Sequence, residues 1–117
     1  MKELVFIIRA EKLETIKEIL DKHGCGGMTI STAMGCGTQR GFTDEDAVSE
    51  IKGYKIKINL LPKIKVEAVV EDDLVESILL DVREHIATGK VGDGKVFIIP
   101  VEDAMRIRTG ERGDNAI

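Results

Sequence analysis

Lys55-Ile-Lys-Ile-Asn-Leu60-Leu-Pro-Lys-Ile-Lys-Val-Glu-Ala68 carries the clearest periodic signal in the chain. Ile56, Ile58 and Leu60 alternate with Lys55, Lys57 and Asn59, and beyond Pro62 Ile64, Val66 and Ala68 alternate with Lys63, Lys65 and Glu67. A period of two marks a strand with one apolar and one polar face. Proline has no N–H to donate to a central ladder, so a bulge or phase change is expected at Leu60-Leu61-Pro62. Upstream, Lys2-Glu-Leu-Val-Phe-Ile-Ile-Arg9 crowds β-branched and aromatic residues into a short segment, the pattern of a buried strand ending in a cation. From Glu11 to His23, Leu13, Ile16, Ile19 and Leu20 recur at helical spacing, and Gly24 supplies the stop. Met28–Met34 alternates again, giving a second strand.

Downstream, Asp73 stands three residues before Glu76, and Val75, Ile78, Leu79, Val82 and Ile86 form one apolar face, so a helix with a capping-box start is expected. Lys95–Pro100 reads as a further strand and Met105–Arg108 as a short last one before a polar tail. The order β-α-β-β-α-β predicts an α+β, ferredoxin-like (βαββαβ) domain spanning 1–117, an antiparallel sheet carrying two helices on one face. The other sheet face then needs a cover. If Ile56, Ile58 and Val66 populate it, burial at about 25 cal/mol per Å² favours packing against further copies of the chain.

Composition narrows the function. Seventeen Lys and Arg against 21 Asp and Glu give a net charge of −4, which argues against a general nucleic-acid binder. Three phenylalanines and one tyrosine offer little surface on which bases stack. No apolar run approaches the roughly 18–20 residues of a membrane span, and the N-terminus lacks a signal-peptide pattern, so a cytoplasmic location is expected. Cys25 and Cys36 match no zinc framework and read as reduced thiols; His23 and His85 each stand isolated in a helix-like segment. No Ser-His-Asp set, catalytic carboxylate pair or Cys-His nucleophile stands out, which points away from an enzyme.

Three segments carry chemistry. Thr88-Gly-Lys-Val-Gly-Asp-Gly-Lys95 places three glycines and two lysines between a helix and a strand, where backbone N–H groups approach phosphate oxygens without Cβ obstruction. Residues 89–95 fit GxxxxGK, but Val96 replaces the Mg-binding Ser or Thr, and the order helix-loop-strand reverses that of a P-loop. Arg106 and Arg108, if in a strand, send two guanidinium forks to one face, suiting an oligophosphate. Residues 36–54 exceed a normal hairpin connection and are acidic at 43–46, which fits a solvated flexible hairpin or, better, a mobile recognition arm.

The run Thr88–Val101, extended by Arg106-Ile-Arg-Thr-Gly-Glu111, resembles the C-terminal signature of the nitrogen-regulatory PII family. Gly27-Met-Thr29, Gln39-Arg-Gly41, Leu61–Glu67 and Ala116-Ile117 are similar too, and only 42–56 lack the likeness. The resemblance implies a nonenzymatic homotrimer that binds ATP or ADP between subunits, senses 2-oxoglutarate and engages targets through a T-loop at about 37–56. Carried over by position, Ile7, Thr29, Glu67, Val69, Thr88 and Gly92-Asp93-Gly94 would hold the nucleotide with Gly37, Thr38, Gln39, Lys95, Arg106 and Arg108, Lys90 being a nearby cation. Gln39 would ligate Mg²⁺ and help place 2-oxoglutarate, whose carboxylates Arg9, Lys63 and the Gly41 backbone would receive. Implied targets are an ammonium channel, with membrane association through it, or a nitrogen-assimilation enzyme such as nitrogenase. Thr38 stands where the family often has arginine, and Ile56 where its modified tyrosine lies. Two rival functions fit the same topology: a phosphohydrolase, or a trimeric metal-binding module without nucleotide.

Overall fold

The computed structural model of the chain describes residues 1–36, 48–51, 54–57 and 60–117, the two short segments as backbone. β1 (Lys2–Ile8), β2 (Thr29–Gly35), β5 (Leu61–Val70) and β6 (Lys95–Pro100) form one four-stranded sheet in the order β2-β5-β1-β6. Every pairing is antiparallel, with Phe6 opposite Val66 and Val96, and Ile30 opposite Val66. β3 (Val48–Ile51) and β4 (Tyr54–Lys57) pair with each other in a separate two-stranded sheet. α1 (Leu13–Lys22) and α2 (Val75–Ile86) complete the α+β, ferredoxin-like arrangement.

One face of the sheet holds the core. Leu4, Phe6 and Ile8 of β1 and Val66, Ala68 and Val70 of β5 pack against Ile16, Ile19 and Leu20 of α1 and Val75, Ile78 and Ile86 of α2. The i, i+3, i+4 spacing of the α1 residues puts them on a single stripe, so both helices lie on the same side. Each fully buried Leu, Ile or Phe contributes about 1.5–3 kcal/mol. α1 ends at a left-handed Gly24 (φ 75°). The Gly24 amide donates to Asp21 O at 2.9 Å and the Cys25 amide to Leu20 O at 2.9 Å, satisfying two orphan carbonyls of the last turn.

Four expectations need correction. The described part of the 55–68 run falls in two strands of different sheets, β4 (Tyr54–Lys57) and β5 (Leu61–Val70), with Pro62 inside β5. β1 pairing ends at Ile8 opposite Ile64, so Pro62 has β2 alone as its neighbour, opposite Met34, and no central ladder to break. Val66 faces the helices, not the open side, and is fully buried; the side chains of Ile56 and Ile58 lie outside the described residues. No side-chain cap bond starts α2: a 3-10 turn at Asp72–Leu74 precedes it, with the Leu74 amide on Glu71 O at 3.1 Å. Asp72 instead takes the Met1 amine at 2.9 Å and Lys2 Nζ at 3.2 Å.

Met105–Arg108 is a turn and not a strand. Met105 makes one isolated bridge to Arg112, and the Gly110 amide donates to Arg106 O at 2.8 Å. Asp103 ties this segment together, accepting from the Ala104 amide at 2.8 Å, the Gly113 amide at 3.0 Å and the Arg112 guanidinium. These donors, the Ala104 amide foremost, hold its carboxyl below the usual range.

The open face of the sheet carries Glu3, Val5 and Ile7 beside Val69, Glu67 and Lys65 on one flank and Ile99, Phe97 and Lys95 on the other. Phe97 and Ile99 are 51% and 45% exposed. No helix among the described residues is long and apolar enough to cross a membrane.

Candidate anion-binding site

The glycine-rich loop between α2 and β6 is closed on itself by Asp93. Its carboxylate accepts the Thr88 amide at 2.7 Å, the Thr88 hydroxyl at 2.5 Å and the Gly89 amide at 3.0 Å. The Thr88 hydroxyl, then its amide, keep the Asp93 carboxyl below its ordinary value. The loop is also pressed onto β1. Gly94 has φ +103°, and a Cβ there would sit 1.9 Å from the Ile7 carbonyl oxygen, so only glycine passes.

Two cations from distant strands reach the loop from outside. Arg9, just beyond β1, donates from Nε to Gly92 O at 3.1 Å and from Nη2 to Val91 O at 2.9 Å. Lys63, on β5, donates from Nζ to the same Gly92 O at 3.1 Å. Partial burial, and next the Arg9 guanidinium, pull the Lys63 ammonium below its ordinary value, while Asp93 acts in the other direction.

Around this loop lies a cavity of about 500 Å³ lined by Ile7, Gly35, Cys36, Leu61, Lys63, Lys90, Val91, Gly92, Asp93, Gly94, Lys95 and Phe97. Three lysines and one carboxylate line it, and that carboxylate is engaged by Thr88 and Gly89. The donor set suits an anion. A hollow of about 590 Å³ holds Glu3, Gly26, Gly27, Met28, Thr29, Glu67, Ala68, Val69, Arg106, Ala116 and Ile117. Both border the open sheet face, the first at its Ile7 end and the second at its Glu3 end.

The residues expected to meet a nucleotide therefore divide. Ile7 and Gly92–Lys95 line the first cavity, with Thr88 bracing its loop; Thr29, Glu67, Val69 and Arg106 line the second hollow. Arg9 and Lys63, expected at the keto acid, meet at Gly92 O. Gly37, Thr38, Gln39 and Gly41 lie outside the described residues, as does most of the 37–56 loop. Arg106 and Arg108 do not share a strand face, because their segment turns: Arg106 pairs with Glu111 Oε1 at 3.3 Å, and Arg108 is exposed. Phe97, Leu61 and the Val91 carbonyl went unforeseen, although the alternation of β6 places Phe97 on the face of Lys95.

His23 and His85 are not isolated. His23 Nε2 lies 2.6 Å from Asp81 Oδ2, and His85 Nδ1 lies 2.8 Å from Asp81 O. Ligand atoms of Asp81, Glu84 and His85 fall within 4.8 Å of one another, but Asp81 Oδ2 is already taken by His23 and, at 3.3 Å, by Lys22 Nζ. Both cysteines are free thiols; burial raises that of Cys25.

A family model described as nitrogen regulatory protein P-II matches residues 1–111. The chain is 44% identical to nitrogen regulatory protein P-II 2 of Methanothermobacter thermautotrophicus, over all of this chain and 97% of that protein. It is 42% identical, over the full length of both chains, to the nitrogen regulatory proteins P-II of Azospirillum brasilense and Rhodospirillum rubrum.

Proposed function

The chain belongs to the nitrogen regulatory protein P-II family, and from that premise we propose that it is a nonenzymatic cytoplasmic signal transducer. It binds ATP or ADP and 2-oxoglutarate between the subunits of a homotrimer and acts on a target through residues 37–56. The observation that carries this is the division of the expected nucleotide residues between two hollows at opposite ends of one open sheet face. Neither hollow alone has both the glycine loop and Arg106. A second copy laid against that face brings the Gly92–Lys95 loop of one subunit to the Arg106 side of the next. Exposed Phe97 and Ile99 on the same face support such packing.

In this arrangement Lys90, Lys95 and Arg106 neutralise phosphate charge, and Arg9 and Lys63 receive the carboxylates of the keto acid. The carboxylate in the first cavity is consumed by the loop, so Gln39, together with oxygens of the nucleotide and the keto acid, would hold a Mg²⁺ ion, a hard-oxygen set that suits it. Such an ion would lower the repulsion between triphosphate and dianion. The outcome is transmitted to an ammonium channel or a nitrogen-assimilation enzyme, nitrogenase being one candidate.

Calorimetry tests this. ATP and ADP are titrated into the protein with and without Mg²⁺ and 2-oxoglutarate, and uptake of nucleotide that tightens when all three are present is expected. No uptake under any of these conditions refutes the proposal. Turnover of ATP abolished by one loop substitution favours the phosphohydrolase instead.

A further inference from the structure

The two cations assigned to the keto acid are held by the loop assigned to the nucleotide. Arg9 Nε and Lys63 Nζ both donate to Gly92 O, each at 3.1 Å, and Arg9 Nη2 donates to Val91 O at 2.9 Å. Guanidinium has five N–H donors, so Arg9 keeps hydrogens for a further acceptor beyond the two loop carbonyls. Inside the loop, Asp93, the residue after Gly92, accepts three bonds from Thr88 and Gly89.

We infer that Thr88 and Asp93 are positioning residues for the dicarboxylate: by closing the loop they fix the Val91 and Gly92 carbonyls that aim Arg9 and Lys63. Loop shape and dianion affinity are thereby linked through two backbone oxygens, in addition to any link through a metal. This rests on the function proposed above and specifies how its keto-acid site is built. Charge alone makes the opposite prediction at one position. Asp93 is an anion acting on both Arg9 and Lys63, so neutralising it should favour an incoming dianion. Positioning requires that the same change weaken binding, because Asn accepts through a single oxygen and cannot close the loop as the carboxylate does. Thr88 separates the effects cleanly, since its replacement alters no charge.

The experiment titrates 2-oxoglutarate into the full chain saturated with Mg-ATP, nucleotide affinity being measured on the same samples to secure saturation. Thr88→Val and Asp93→Asn should each weaken 2-oxoglutarate by about three- to ten-fold, the loss of one hydrogen bond, and Thr88→Ser should restore it. Unchanged affinity in Thr88→Val, or tighter binding in Asp93→Asn, overturns the inference. If the unsubstituted protein takes up no 2-oxoglutarate, the sensing function itself is refuted and the dicarboxylate claim with it. A ligand-free measurement checks the linkage independently: Arg9→Gln should speed amide hydrogen exchange at Thr88 and Gly89, and unchanged exchange there contradicts it.

Discussion

Gly94 and Gly89 form a matched pair within one loop. Both have positive φ, +103° and +80°. A methyl group at Gly89 meets nothing within 4 Å, whereas at Gly94 it would lie 1.9 Å from Ile7 O, 3.0 Å from Ile7 C and 3.3 Å from Ile8 Cα. Gly89→Ala therefore carries the left-handed backbone cost alone, about 1–2 kcal/mol. Gly94→Ala adds a collision with backbone that no side-chain rotation relieves, and β1 is locked between β5 and β6 in the centre of the sheet. The loop must move instead, taking Gly92 O away from Arg9 and Lys63. Two charge-assisted hydrogen bonds at about 1.5 kcal/mol each bring the expected total to roughly 4–5 kcal/mol or more. Urea denaturation of the two variants measures the difference, with nucleotide titration alongside. Gly94→Ala should lose at least about 2 kcal/mol more than Gly89→Ala and bind ATP at least about ten-fold more weakly. Equal stability and equal affinity in the two variants would refute the seating of this loop on β1.

Ile16→Ala empties a fully buried position between α1 and the sheet and should cost about 2–5 kcal/mol by denaturant unfolding. A loss below 1 kcal/mol would contradict the core described. Asp72, Asp81, Asp93 and Asp103 all have carboxyl pKa values held below the ordinary value by their hydrogen-bond donors. A carboxyl depressed in the folded state adds stability above its unfolded pKa and loses it as pH falls through the folded one. Thermal midpoints should therefore drop below about pH 4, less steeply in Asp103→Asn, and identical pH profiles would argue against that hub. Phe97→Glu places charge on the open face and should shift sedimentation toward the monomer; an unaltered oligomer removes that face from the interface.

Much of the fold was legible because periodicity reports burial directly. β6 occupies Lys95–Pro100 as expected, and Ile16, Ile19 and Leu20 are the buried residues of α1. The pattern misled where local and distant forces compete. Arg106-Ile-Arg108 alternates like a strand, yet Asp103 draws in Arg112 and Gly113 and folds the segment into a turn, leaving Ile107 91% exposed. Pro62 argued for a bulge at its own position, but it pairs in register with Met34 of β2, where β1 no longer runs alongside β5. At the site, glycines and lysines marked an anion loop, but the contacts of Gly92 O come from Lys63 and from Arg9, 83 positions away in the chain. Spacing carries no signal for a bond between a side chain and a carbonyl that only the assembled sheet brings together.

In the proposed assembly, Lys95 and Arg106 serve one nucleotide from two different copies of the chain. Lys95→Ala and Arg106→Ala proteins are each expected to lose ATP affinity by about 1.5–3 kcal/mol. The two should then be unfolded, mixed in equal amounts and refolded together. Random assembly pairs an intact loop with an intact Arg106 at about one interface in four, so that fraction of high-affinity ATP sites should return. If mixing returns none, each copy holds its nucleotide by itself and the account is contradicted.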